Sequence, residues 1–444
     1  MLKRLIRRLS PASLTPKKQH RIIPRDQHPI SRKEISQAAL KVMYGLNEAG
    51  FAAYLVGGGV RDILLEMHPK DFDIATNATP EQILRIFRNA HIIGRRFKIV
   101  HIRFGREIIE VTTFRGHHQR SDTRHQAHAS QQGLLLRDNV YGTIEEDALR
   151  RDFTVNALYY SVDGFTLHDF CNGLEDLEKR ILRVIGDPPQ RYREDPVRIL
   201  RAIRLAAKLG FSIHKDSSAC FDQLSGLLTE VPAARLFDEV IKLLMSGHAV
   251  ATSKELNRYS LLPCLFPATA AAVDSNPLYQ RQLDIAFRNT DERIANGKTV
   301  TPYYLFAALL WPALQEQLAR ETKNDIPFFQ HLHRAMDEVI QQQLQITAIP
   351  RRFSGPMKDI WQLQYRLHRY QGKRAKALAA HPRFRAAYDF LLLREEAGEE
   401  LEGLGSWWTN YQQSNPVTAN DDHDDVERKN NRRPRKPRTR TRKR

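Results

Sequence analysis

Residues 54–67, YLVGGGVRDILLEM, admit few local structures. A short apolar run reads as a buried strand, three glycines force a turn, and the apolar residues that follow fall at helical spacing. A strand running through glycines into a helix lets backbone N–H groups approach a phosphate at the helix N-terminus. Arg61, in the first turn, adds a charged grip. Glycines alone say less, because tight turns also use them for φ freedom only.

Nine residues beyond Arg61 stands KDFDIATNATP, residues 70–80. Side chains two apart on a strand share a face, so Asp71 and Asp73 converge while Phe72 and Ile74 turn to the core. Two carboxylates held together repel unless a cation lies between them, and hard divalent ions take carboxylate oxygens together with phosphate oxygens. For such a pair alone, a strand cap and a turn contact are the better account of the acids. Joined to the glycine turn at this spacing, the pair points to phosphate chemistry. IIEVTTFRG, residues 108–116, offers Glu110 as a third acid on a neighbouring strand, although an acid in that pattern can also simply face solvent.

Two further stretches follow. EEDALRRDFTVNALYY carries Arg150, Arg151 and Asp152, and RYREDPVRILRAIRLAAKLG sets Arg198, Arg201 and Arg204 three apart on one helix. Steps of three drift by about 60°, so these arginines spiral along one flank while Ile199, Leu200, Ile203 and Leu205 face the core. Asp195 and Arg198 are one turn apart. They suit either an ordinary helix ion pair or an acceptor and donor that match a base edge.

The pattern gives an α+β chain: a mixed α/β head, then an almost wholly helical remainder broken by a hairpin near ALYYSVDGFTLHDF. The division expected is a basic N-terminal arm (1–33), a head (34–155), a helical neck (156–230), a helical body (231–411) and a basic tail (412–444). Residues 116–138 show neither period and read as a loop. Its histidines, among them His117, His118, His125 and His128, have no metal-site spacing, and a solvated polar segment is the simpler account. DIWQLQYRLHRYQ interleaves aromatic and basic residues that could stack bases, but Ile360, Leu363, Leu367 and Tyr370 fall at core spacing.

The net charge of +18 sits at the ends. Residues 1–33 hold ten Lys and Arg against one acid and residues 428–444 hold eleven against none, so the 394 residues between them sum to −2. Such tails attract a polyanion without distorting a folded body. Three widely spaced cysteines, Cys171, Cys220 and Cys264, fit a reducing compartment better than a disulfide frame, which implies a cytoplasmic protein. The first residues, MLKRLIRRLSPASL, lack the apolar run of a secretory signal. Leu2, Leu5, Ile6 and Leu9 at helical spacing are compatible with weak contact to a membrane surface, and equally with an arm that orders on RNA.

LVGGGVRDILLEMHPKDFDIATNATPEQ, IIEVTTFRG, RRDFTVNALYY and REDPVRILRAIRLAAKLG resemble, in order and spacing, the motifs of class II nucleotidyltransferases of the polymerase β-like superfamily. These comprise bacterial poly(A) polymerases and CCA-adding enzymes. IIGRRFKIVHIRFG, residues 92–105, and the helical body with its basic tail favour the poly(A) polymerase branch. The resemblance implies Mg²⁺ at Asp71 and Asp73, with Glu110 as third carboxylate, and a triphosphate at Gly57, Gly58 and Arg61. Asp152 would be a further active-site acid, Arg151, Arg201 and Arg204 nucleotide contacts, and Asp195 with Arg198 the readers of the adenine edge. The implied activity is template-independent addition of AMP from ATP to RNA 3′ ends by a monomer serving RNA processing and the decay machinery. CCA addition to tRNA is the alternative within the superfamily, and an RNA-binding protein with an inactive head is the alternative outside it.

Overall fold

The computed structural model describes residues 20–94, 98–116, 140–320 and 327–415, together with the backbone of 127–129 and 135–138. Residues 1–19, Arg95 and Arg96 of the 92–105 segment, three of the loop histidines (His117, His118 and His125) and the tail from 416 onward lie outside the described residues.

The head is built on eight strands. They are β1 (Arg21–Ile23), β2 (Ala53–Val56), β3 (Asp73–Thr76), β4 (Ala90–Ile93), β5 (Ile99–Phe104), β6 (Glu107–Thr113), β9 (Leu158–Ser161) and β10 (Leu167–Asp169). Two short strands between them, β7 (Ala127–Ala129) and β8 (Leu135–Asp138), pair only with each other, inside the stretch that the sequence pattern leaves as loop. The sheet order is β1-β10-β9-β2-β3-β6-β5-β4. Only β3 and β6 run parallel; the other neighbours are antiparallel.

The two faces of this sheet differ in kind. Leu55, Ile74, Val100 and Val111 lie opposite one another on one face and are fully buried. The helix Gln37–Glu48 covers them with Ala39, Val42, Met43 and Leu46, and the side chain of Ser36 caps its start. On the other face the register places Tyr159, Val56, Asp73, Glu110 and His101 in one row across five strands. Because the side-chain period is two, the register that buries Ile74 also delivers Asp73 to the open face. The helix Ile144–Arg150 closes one end of that face, packing Ala148 against Val56, Ala75 and Tyr159.

The hairpin β9–β10 falls after residue 155, where the sequence reading ends the head. Both its strands nonetheless belong to the head's sheet, and β1, from the basic arm, pairs with β10 at the edge. Beyond it the chain is helical. Its centre is Pro302–Arg320, buried without a break from Leu305 to Leu314, which is the pattern of a helix surrounded by others. Ile360, Trp361, Leu363 and Leu367 are buried, so the stripe in DIWQLQYRLHRYQ is core. No helix among the described residues is long and apolar enough to cross a membrane. The three cysteines are free thiols.

Candidate active site

Gly57 adopts φ 70° and ψ −135°, a conformation that side-chain-bearing residues avoid, and it caps the helix Gly58–Leu64. A Cβ at Gly57 would stand 3.8 Å from Asp73 Oδ2 and 3.7 Å from Arg151 Nη1. A carboxylate and a guanidinium therefore both border the bare backbone of the turn. Gly59 packs beside the chain just before β3, where a Cβ would be in ordinary contact with the carbonyl oxygen of Asp71 at 3.5 Å.

Asp73 faces Glu110 across the parallel β3–β6 pair. Burial raises the Asp73 pKa to about 6; Glu110 and Asp71 add to the rise and Arg151 opposes it. Glu110 also accepts a hydrogen bond from His101 Nε2 at 3.1 Å. Asp71 precedes the strand and is exposed. Among the described residues no three acidic, histidine or cysteine side chains stand close enough to cage an ion. Like charges without a counter-ion spread apart, and the donor set fits a hard divalent cation: oxygen donors only at Asp71 and Asp73, with one carboxylate destabilised by its neighbours.

Arg151 ends the helix Ile144–Arg150 and lies over the ring of Tyr159, 4.9 Å from its centroid. It donates to Tyr159 Oη at 2.7 Å and to Asp147 Oδ2 at 3.0 Å, and Tyr159 donates to the same carboxylate. Burial works against its charge, but the phenol and Asp147 outweigh that and raise its pKa.

Several expected ligand contacts are occupied by protein. Arg61, expected at the triphosphate, is buried and donates to Asp62 and to Asn156 Oδ1, with its Nη2 3.4 Å from where a Cβ at Gly58 would stand. Asn156 in turn donates to Asp152 Oδ1 at 3.1 Å, and Asp152 Oδ2 stands 2.5 Å from Arg201 Nη2. Asp62 also receives Lys208 at 3.2 Å. A continuous polar chain thus joins the glycine-turn helix, the segment 152–156 and the helix Val197–Leu209. Burial opposes the charge on Asp152, yet Arg201 and these hydrogen bonds lower its pKa. Asp152 here is a junction between head and helix rather than a third member of the Asp71 and Asp73 pair.

Asp195 and Arg198 do not pair. The helix Pro188–Glu194 ends before Pro196, so Asp195 stands in a break and not on the helix that carries Arg198. Asp195 is clamped by both terminal nitrogens of Arg235, at 2.7 and 2.8 Å. Arg198 donates to the Arg191 carbonyl and to Glu194. Arg204 approaches Glu239 at 4.0 Å.

Arg150 and Arg191 are both pushed down to about 10, first by burial and then by neighbouring guanidinium groups. Arg115 is lowered in the same way. Arg191 Nε, Arg201 Nε, Arg204 Nε and Glu239 Oε2 are buried without hydrogen-bonding partners. Crowded cations and unsatisfied donors in one junction are what a bound polyphosphate and base would relieve.

Sequence reasoning missed Asp147, Tyr159, Asn156, Arg191 and Arg235. Asp147 had a signal, four residues before Arg151 on one helix, and so had Asn156 and Tyr159 inside an already notable stretch. Arg235 had none, being forty residues from Asp195.

An eight-stranded mixed sheet with register-matched carboxylates beside a glycine turn, joined to a helical arginine-bearing neck, defines a nucleotidyltransferase. The poly A polymerase head domain family matches residues 53–183, the probable RNA and SrmB-binding site of polymerase A matches 210–273, and the polymerase A arginine-rich C-terminus matches 324–444. Poly(A) polymerase I of Salmonella typhimurium is 47% identical over 94% of this chain and 92% of its own, and that of Haemophilus influenzae is 46% identical over 89% and 88%. The chain belongs to the bacterial poly(A) polymerase I family. A CCA-adding enzyme of Streptococcus pneumoniae is more distant, 36% identical over 62% of this chain and 63% of its own. In fold, the chain resembles the Bacillus stearothermophilus CCA-adding enzyme in complex with CTP, with a TM-score of 0.57 at 24% identity over 86% of this chain and 83% of that one.

Proposed function

We infer that the chain is a polynucleotide adenylyltransferase, which adds adenylate units from ATP to RNA 3′ ends without a template. The observation that carries this reading is the convergence of Asp73 and Arg151 on the bare Gly57 turn, with Glu110 in register beside Asp73. Likeness to poly(A) polymerase I along nearly the whole chain supports the choice of ATP and RNA.

In the reaction the 3′ oxygen of RNA bonds to the α-phosphorus of ATP as the bond to the pyrophosphate oxygen breaks. Asp71, Asp73 and Glu110 are the residues we assign to Mg²⁺. When bound, the ion lowers the pKa of the attacking hydroxyl and screens phosphate charge. The Gly57–Gly58 turn admits the triphosphate close to backbone N–H groups, and Arg151, fixed by Asp147 and Tyr159, holds its charge against it. Arg61 acts through the turn, by anchoring its helix to Asn156. Arg201 and Arg204 line the junction where the nucleotide enters, and Asp152 holds Arg201 there. Asp195, held in place by Arg235, and Arg198 are the groups we assign to the adenine edge.

We extend this reading to a monomeric, cytoplasmic protein whose RNA products pass to the decay machinery, with a head that takes in β1 and the hairpin β9–β10, followed by the helical neck and body. The basic arm gives it a weak hold on RNA or an anionic membrane surface.

The test is extension of a 5′-labelled RNA with Mg²⁺ and each nucleoside triphosphate in turn, and of tRNA lacking CCA with CTP and ATP together. A long ladder with ATP alone, lost in Asp73→Ala while RNA binding remains, is the expected result. A short extension that requires CTP and stops would instead assign the chain to CCA addition, and full activity in Asp73→Ala would remove the metal assignment.

A further inference from the structure

The helical body holds a cleft of about 620 Å³ to which no strand of the head contributes. Its walls come from the end of the helix Pro277–Ala295, the connection 296–301, the first turn of Pro302–Arg320 and the helix Phe384–Glu396. Its volume is within the range of pockets that enclose a small ligand.

The lining has a definite chemistry. Arg383 lies over the ring of Tyr303, 5.0 Å from its centroid, with Nη1 3.4 Å from the phenol oxygen. Arg293 is held against the carbonyl of Thr299 at 3.2 Å, and Lys298 beside it is exposed. The acids of the cleft are already matched. Arg385 pairs with Asp389 at 3.0 Å, and Arg288, from outside the cleft, pairs with Glu396 and approaches Glu292 at 3.7 Å. Among the described residues none of Arg293, Lys298 and Arg383 is paired with a carboxylate.

A ring bearing a guanidinium, beside two cations that no acid neutralises, suits a nucleotide unit: a base on the aromatic and guanidinium faces, a backbone phosphate on the cations. An acidic peptide would engage the cations and leave the ring idle. We propose that this cleft is a second RNA site, which holds one nucleotide of the substrate strand away from its reacting 3′ end. The proposal rests on RNA being the substrate, but not on the chemistry assigned to the head. Tyr303 and Arg383 form the stacking platform, and Lys298 with Arg293 takes the phosphate. Such a site keeps the strand attached while its end moves through the catalytic face.

The experiment is fluorescence anisotropy of a labelled oligoadenylate with the full chain, without ATP or Mg²⁺, across a salt series. Tyr303→Ala is expected to weaken binding roughly tenfold, in keeping with the loss of one stacked base, whereas Tyr303→Phe keeps the ring and retains affinity. Lys298→Glu with Arg293→Glu is expected to flatten the slope of log affinity against log salt by about 0.7, the share of one phosphate contact on a single strand. If Tyr303→Ala lowers the melting temperature sharply, the exposed Lys298→Glu carries the test alone. Wild-type affinity and slope in all three variants would overturn the proposal. So would unchanged RNA binding together with loss of a second ATP equivalent in an ATP titration, which would give the cleft to a free nucleotide. Because no turnover is measured, loss of RNA binding in a protein that makes no poly(A) would leave this inference standing and remove the assigned activity.

Discussion

Asp73 is destabilised by the same neighbours that make it useful. Its folded pKa of about 6, set by burial first and by Glu110 next, lies above the ordinary value of 3.8. The charged carboxylate therefore works against folding near neutral pH. A raised folded pKa means that stability from this group is present at low pH and lost as pH rises through about 6. In metal-free protein, Asp73→Asn should raise the thermal midpoint by a few degrees at about pH 7, and the gain should vanish by about pH 4. Mg²⁺ should raise the wild-type midpoint more at about pH 7 than at about pH 5, and should do less for Asp73→Asn. Calorimetry at the two pH values checks both; a midpoint that falls on substitution would mean that Asp73 is satisfied without an ion. Asp71 lies before the strand, so spacing did not place it, but the face of Asp73 and the glycine turn were legible because alternation on a strand fixes the face and only glycine tolerates the Gly57 conformation. The role of Arg61 was not, because position in a first turn says nothing about which way a long side chain bends. Asn156, ninety-five residues away, settles it.

Elements were legible wherever a local period decided them. The helix Val197–Leu209 and the hairpin around Asp163 both stand where the sequence places them. Their partners were not legible. The hairpin joins β2, a hundred residues earlier, and β1 then joins the hairpin, both through backbone pairing that side-chain patterns do not encode. Asp195 is the sharper case. Spacing alone put it on one helix with Arg198, but Pro196 lacks the N–H that would continue the preceding helix, so the chain breaks there and Arg235 supplies the charge partner. This clamp fixes both carboxylate oxygens, so its removal should free the group assigned to the base edge. Arg235→Ala is expected to cost about 1 to 3 kcal/mol of stability, less than a fully buried pair because both side chains keep some exposure. It should also narrow the preference for ATP over CTP severalfold. Competition between the two nucleotides on one RNA measures this, and an unchanged ratio in a folded variant would show that Asp195 does not read the base.

Across the whole molecule, charge and fold are separated along the chain. Residues 34–427 are nearly neutral, while 428–444 bring eleven positive charges in seventeen residues. The head places its carboxylates in the open, where a polyanion meets them only with a cation between, and so attraction over distance has to come from elsewhere. A dense basic segment supplies it, because counterions condensed on RNA are released when lysine and arginine replace them. Deleting 428–444 should weaken RNA binding strongly at low salt and little at high salt. The slope of log affinity against log salt should flatten by up to about 8, the limit set by some 0.7 per phosphate contact on a single strand. Turnover on saturating short RNA should change little, since no residue assigned to the reaction lies in the deleted stretch. A binding isotherm series with the truncated chain separates this from the body cleft: Tyr303→Ala loses a fixed factor from stacking at every salt concentration, whereas the truncation converges with wild type as salt rises. Convergence that fails, or a slope that does not move, would show that residues 428–444 are dispensable for the attraction and that the rest of the chain supplies it.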